Sequence, residues 1–155
     1  MKTQKVYNSK YEIEPRLVLM ASAHPLKPLS EDRFVALDFM TVYCGEFLHD
    51  AENLHGNSGF KYSELSARKQ TVHSAIRSLV LEGLLAVELE DGFEFKLSDL
   101  GMQYAASFES SYAEKFKRYF LEIYEEYSEL SENELFQIIH SKAVPDTEEE
   151  GQCTI

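Results

Sequence analysis

Apolar residues recur at helical spacing through the middle of the chain, and then the period changes. Leu65, Val72, Ile76, Leu79 and Leu84, with Ala75 and Val80 beside them, fall on one face of a long helix. Gly83 predicts its end, since glycine takes a left-handed cap without steric penalty. Beyond it Val87 and Leu89 alternate with Glu88 and Glu90, and Phe93, Phe95 and Leu97 alternate with Glu94 and Lys96. That is the period of two of a β-hairpin. A two-residue Asp91-Gly92 loop would set Leu89 opposite Glu94 and mix the faces. A three-residue Glu90-Asp91-Gly92 loop instead pairs Leu89 with Phe93 and Val87 with Phe95, with Gly92 at the left-handed bulge position. This register leaves Glu88, Glu94 and Lys96 on the solvent face, with Glu90 and Asp91 at the tip.

The same reading predicts helices on either side. Pro15 suits the first turn of a short helix starting at Glu14, which His24-Pro25 ends. Ser30 is an N-cap, with Glu31 and Asp32 in the first turn of a helix over residues 31–49. This helix is apolar almost all round, so it is expected to be central or to lie at a subunit contact. Its exception, Asp38, is read as sitting at a solvent-facing notch or pairing with a nearby base; no catalytic partner for it is visible. Residues 50–60 form a polar loop. Ser98-Asp99 starts another helix, and Ser110 or Ser111 caps a further one. In that last helix Tyr112, Phe116, Tyr119, Phe120, Ile123, Tyr124, Tyr127 and Leu130 make one stripe. A stripe of this kind is core, or in part a partner surface, where Tyr and Phe are enriched. Ser131 and Glu134 form a capping box for a final helix that buries Leu135, Phe136, Ile138 and Ile139. Pro145 ends it.

These elements predict a mostly α (α+β) fold: a winged-helix domain with extra N- and C-terminal helices and one β-hairpin wing. The order of long helix and hairpin is that of a winged-helix unit. Residues 1–10 are expected to be a loose arm, 11–142 a single domain, and 143–155 a disordered acidic tail. A chain of 155 residues suits one domain with a proper core. No apolar run approaches the ~20 residues of a membrane helix, and the N-terminus lacks a signal-peptide core. A cytoplasmic location is expected. Cys44 in an apolar helix and Cys153 in a polar tail do not suggest a disulfide.

Charge narrows the function. The net charge is −12, carried mainly by the end of the chain: residues 121–155 hold 1 base and 10 acids, against 6 and 8 in residues 1–60 and 8 and 9 in 61–120. Such a field opposes nonspecific attraction to nucleic acid. Lys69, His73 and Arg77, at i, i+4 and i+8 with Arg68 and Lys61 nearby, would make one helix face basic. That face is a partner-binding candidate, as are Tyr112, Phe116 and Tyr119. No Gly-rich phosphate loop, nucleophile elbow or paired Cys ligands occur, so nothing in the chain asks for a cofactor or makes it an enzyme. His49, Asp50, Glu52 and His55 have no metal-ligand spacing; a solvated loop explains them more simply.

The segments EPRLVLM, RFVALDFMTVYCGEFLHD, LHGNSGFKYSEL and LVLEGLLAVELEDGFEFKLSDLGMQYAASFESSYAEKF together resemble the middle components of bacterial ABC-three-component systems, the group that includes Lamassu-type anti-phage defence. The resemblance covers residues 11–126. It implies a small non-catalytic winged-helix subunit bridging an SMC-like or Rad50-like ABC ATPase and an effector, often a nuclease. DNA would then be met only through the complex. The family supplies no active-site residues. A stand-alone winged-helix transcription regulator is the alternative, and a small enzyme using the His49–His55 loop stands third.

Overall fold

The computed structural model describes residues 9–25, 27–56 and 61–152, with side chains through residue 143. The expected arm at 1–8, the end of the polar loop at 57–60 and Cys153 lie outside the described residues. Among the described residues six α-helices and three short strands follow in order: α1 Lys10–Ala23, β1 Leu29–Ser30, α2 Glu31–Val42, α3 Glu64–Leu81, β2 Leu85–Leu89, β3 Phe93–Leu97, α4 Asp99–Ala106, α5 Ser111–Tyr127 and α6 Glu132–Gln152. The protein is mostly helical with one small antiparallel sheet.

Helix α1 starts earlier than its proline suggests. Ser9 is the N-cap, its Oγ accepting from the Glu12 amide at 3.4 Å, so Pro15 lies inside the helix rather than in its first turn. The N-cap expected at Ser30 is present: its Oγ accepts from the Arg33 amide at 3.1 Å. Helix α2 is shorter than the expected 31–49, because after Val42 the chain tightens into a 3-10 turn at Cys44–Glu46. There the Gly45 amide donates to Asn53 Oδ1 at 2.8 Å, and a Cβ on Gly45 would crowd both that oxygen and the Ala51 carbonyl. The loop can fold under the helix end only past a bare backbone.

Helix α2 is central. It packs on α1, α3, α5 and α6, and its residues Phe34–Val42 are all buried. Helix α3 is continuous and places Leu65, Val72, Ala75, Ile76 and Leu79 in the core. The aromatic stripe of α5 enters the same core through Phe116, Tyr119, Phe120 and Ile123. Of the four residues expected to be buried in α6, Leu135 and Ile139 are, while Phe136 and Ile138 are half-buried. Ser131 Oγ accepts from the Glu134 amide at 3.2 Å, as a capping residue should. The helix then passes through Pro145, where an end was expected, and runs to Gln152.

The hairpin has the three-residue loop: Leu89 pairs with Phe93, Val87 with Phe95 and Leu85 with Leu97, and Gly92 has a φ of 115°. Strand β1 adds a third member the pattern did not announce, Leu29 pairing with Phe95 and Ser30 with Glu94, for a strand order β1-β3-β2. Helix α4 closes on the base of this sheet. Gly101 approaches so closely that a Cβ there would collide with the Leu84 carbonyl and the Leu97 side chain.

Candidate functional site

One face of the hairpin is apolar along its whole length but covered only at its base. Directly paired strand residues project to the same side, so Leu85, Val87 and Leu89 share a face with Leu97, Phe95 and Phe93. Leu85 and Leu97 are in the core, Phe95 is half-buried, and exposure then climbs to 45% at Val87, 69% at Leu89 and 67% at Phe93. Among the described residues α4 packs against the base of the strands, at Leu84 and Leu97, and the side chains toward the loop stay exposed.

Helix α3 supplies the opposite wall. His73, Ile76, Arg77 and Val80 fall at i, i+3, i+4 and i+7, one face of the helix, and Leu81 at its end is 79% exposed. Between this wall and Val87, Phe93 and Phe95 lies an open groove of about 780 Å³. The first turns of α2, with Glu31 and Asp32, and of α6, with Glu132 and Asn133, also line it, as does Asp91 of the hairpin loop. The floor is apolar and the rim is acidic, with Arg77 and His73 on the α3 side. Glu132 is held by Ser30 Oγ at 3.0 Å and by Arg33 Nε at 3.3 Å. Partial burial pushes its carboxyl up, but its own backbone amide, Ser30 and Arg33 outweigh that and keep it below the usual range.

The expected basic stripe is split up by its neighbours. Lys69 is exposed, with its Nζ 4.6 Å from the centroid of the Phe136 ring of α6. His73 Nδ1 lies 2.6 Å from Glu31 Oε1, and Arg77 lines the groove. Lys61 is paired with Glu46 at 2.5 Å. Arg68 points the other way, into the core. Only His73 and Arg77 therefore share a concave surface. Of the aromatic candidates, Phe116 is fully buried and Tyr119 nearly so; their surface is used inside this chain. Tyr112 reaches the surface and hydrogen-bonds His55 Nε2 at 2.7 Å.

Tyr112 leads to the polar centre of the fold. Asp38 is no notch residue; it has no exposed surface and pairs with two arginines. Arg16 donates from Nε to Oδ1 at 2.7 Å and from Nη2 to Oδ2 at 2.9 Å, and Arg68 Nε stands 3.5 Å from Oδ2. Burial alone would raise the Asp38 carboxyl, but the two guanidiniums outweigh it and hold the carboxyl below the usual range. Arg68 is further seated over the rings of Phe39 and Tyr43, at 5.2 and 5.9 Å. Burial also pushes the Tyr112 phenol up to about 12 and, with the help of Arg16, drives His55 down to about 4. The sequence placed a base beside Asp38 as one of two options but gave no sign of which. Every member of this centre is engaged with another, so it ties α1, α2, α3, α5 and the 49–56 loop together.

Among the described residues no group of His, Cys, Asp and Glu is arranged to hold a metal ion, and no helix is long and apolar enough to cross a membrane. Cys44 is buried and lies 3.1 Å from the Glu52 carbonyl oxygen. Desolvation pushes its thiol up to about 11, which keeps it protonated. No curated protein and no solved structure matches the chain. A family model does: that of the ABC-three component (ABC-3C) system middle component 2 matches residues 6–149. A match over nearly the whole chain leads to one identification: the chain belongs to the ABC-3C middle component 2 family.

Proposed function

We propose that this middle component is a non-catalytic assembly subunit of a defence complex, of the kind found in Lamassu-type systems. In this reading it joins an SMC-like or Rad50-like ABC ATPase to an effector of nuclease character, and meets DNA only through the complex. The observation that carries the reading is the uncovered apolar face of the hairpin, which forms one wall of a groove with α3. Leu81, Val87, Leu89 and Phe93 form a contiguous exposed apolar set, of the kind that marks an interaction site in a soluble protein. A long helix followed by a hairpin, with a third short strand beside it, is the arrangement of a winged-helix unit, and that assignment belongs to the same proposal. A stand-alone DNA reader is less well supported. Its reading helix would be α3, and the exposed face of α3 looks onto Glu31, Asp32 and Asp91.

Co-expression with the flanking genes tests the role. A complex with a coiled-coil ATPase and an effector, at fixed stoichiometry by light scattering, is the expected outcome. A lone dimer that binds its own promoter with a steep salt dependence would transfer the function to the regulator class.

A further inference from the structure

The groove carries enough chemistry to say what kind of segment fits it. We propose that it receives an amphipathic helical segment of another protein, whose apolar side chains enter between α3 and the hairpin and whose flanking Lys and Arg residues meet the acidic rim. This deepens the assembly reading and rests on it for the existence of a partner.

Three features define the occupant. The floor is made by Ile76, Val80 and Leu81 on the helix side and by Val87, Phe93 and Phe95 on the sheet side. A volume of about 780 Å³ admits several large side chains but not a whole helix, so the segment lies across the mouth and inserts one face. Acids line the mouth, Glu31, Asp32 and Glu132 from the starts of α2 and α6 and Asp91 from the hairpin loop, so cations are favoured on the parts of the segment that overhang it. Arg77, on the α3 wall, fixes one place where an acid or a carbonyl is preferred.

Charge also removes other occupants. A second copy of this chain would bring the same acidic rim, within a net charge of −12. Residues 143–155, with Asp146, Glu148, Glu149 and Glu150, would be repelled in the same way. Nucleic acid would set phosphates against Asp32 and Asp91. The first eight residues do hold Lys2, Lys5, Val6 and Tyr7, but so short an apolar set leaves most of the floor uncovered. Their occupancy is an outcome the experiment detects.

The test uses the full chain and two labelled peptides that share Leu at i, i+3, i+4 and i+7. One carries Lys at the remaining positions and the other Glu, and binding is read by fluorescence anisotropy. The Lys peptide is expected to bind and the Glu peptide not. Leu81→Asp should weaken the Lys peptide by about tenfold or more, the loss typical of an interface anchor. Asp32→Lys with Asp91→Lys should reverse the preference between peptides, whereas Leu121→Asp, on α5 away from the groove, should change nothing. Equal binding of both peptides, no binding of either, or binding that ignores the groove variants overturns the proposal. Tighter peptide binding after deletion of residues 2–8 overturns it in favour of the chain's own arm, and loss of peptide binding on concentration-dependent dimerisation overturns it in favour of a second copy. The co-expression result is independent. A complex that forms while the peptides fail removes this occupant and keeps the assembly role; peptides that bind while no complex forms do the reverse.

Discussion

Asp38 and Arg16, 22 positions apart in the chain, meet through two parallel hydrogen bonds, at 2.7 and 2.9 Å, with neither side chain reaching solvent. Arg68 closes on the same carboxylate from α3. One carboxylate thus serves two buried guanidiniums. Replacing it with an amide leaves both cations in a low-dielectric site without their counter-charge. Asp38→Asn is expected to cost about 3–5 kcal/mol in urea unfolding, the range for breaking a buried pair from one side. Arg68→Met should cost less, since it keeps the Arg16–Asp38 pair and refills the volume with apolar atoms. The opposite order would mean that Arg68, rather than Asp38, is the hub. The pH dependence has a definite sign. Because the folded carboxyl lies below its unfolded value, the stability it contributes is present above about pH 4 and is lost as the pH falls through the folded value.

His55 moves the same way for a different reason. Its imidazole is driven from 6.5 down to about 4 by desolvation first and by the Arg16 charge second. Between those values the unfolded chain binds a proton that the folded one refuses, so stability rises with pH across this window. The slope from this group approaches about 1.4 kcal/mol per pH unit for one proton, reduced by its partial exposure to solvent. Unfolding midpoints of the wild type and of His55→Gln should therefore converge as the pH is lowered from 7 to 4. Parallel curves would show that His55 protonates freely in the fold.

Gly101 stands where α4 meets the sheet, its Cα against the Leu84 carbonyl and the Leu97 side chain. Gly101→Ala is expected to destabilise by about 1–3 kcal/mol despite the higher helix propensity of alanine, because the added methyl meets backbone that has no rotamer to change. A thermal shift toward greater stability would mean that α4 can lift from the strands at no cost.

Lys69 and Arg77 sit on the exposed side of α3, one over the Phe136 ring and one in the groove. Lys69→Glu with Arg77→Glu should leave a cooperative fold, losing about 0.5–1 kcal/mol with the cation–π contact. Phe93→Ser should change stability by no more than about 0.5 kcal/mol, as is usual for exposed positions. Both variants are expected to weaken complex formation in pull-downs with the co-expressed neighbours. Unchanged complex formation in both would place the partner's contact elsewhere.

The hairpin shows how far local pattern reaches. Its register followed from requiring like faces to pair, because the side-chain period of two leaves only one loop length that keeps Leu89 with Phe93 and Val87 with Phe95. The N-caps at Ser30, Ser98 and Ser131 were legible for a similar reason: each acts on an amide three residues away, within the span a sequence motif can specify; for α5 the sequence left Ser110 or Ser111, and the structure has Ser110. The start of α1 was not. Pro15 fits a first turn and is tolerated deeper in, so the proline by itself does not locate the helix start, and with Ser9 as its cap the helix begins at Lys10, four residues before the expected Glu14.

Sequence alone determined the acidic balance, from composition, and the apolar faces of α2, α3 and α5, because each face depends on residue type repeated at a fixed local period; that those of α2 and α5 meet the core of this chain rather than a partner was left to the structure. It also placed the family, through the order of those segments. Only the tertiary structure decided which neighbours Asp38 would have, since Arg16 and Arg68 reach it from separate helices. It likewise decided that Arg68 turns inward while Arg77 stays out. The groove belongs wholly to that level. Period tells a strand which of its faces is apolar, but whether another element arrives to cover that face depends on how helices distant in sequence pack, and here α4 closes on the base while Val87, Leu89 and Phe93 stay exposed.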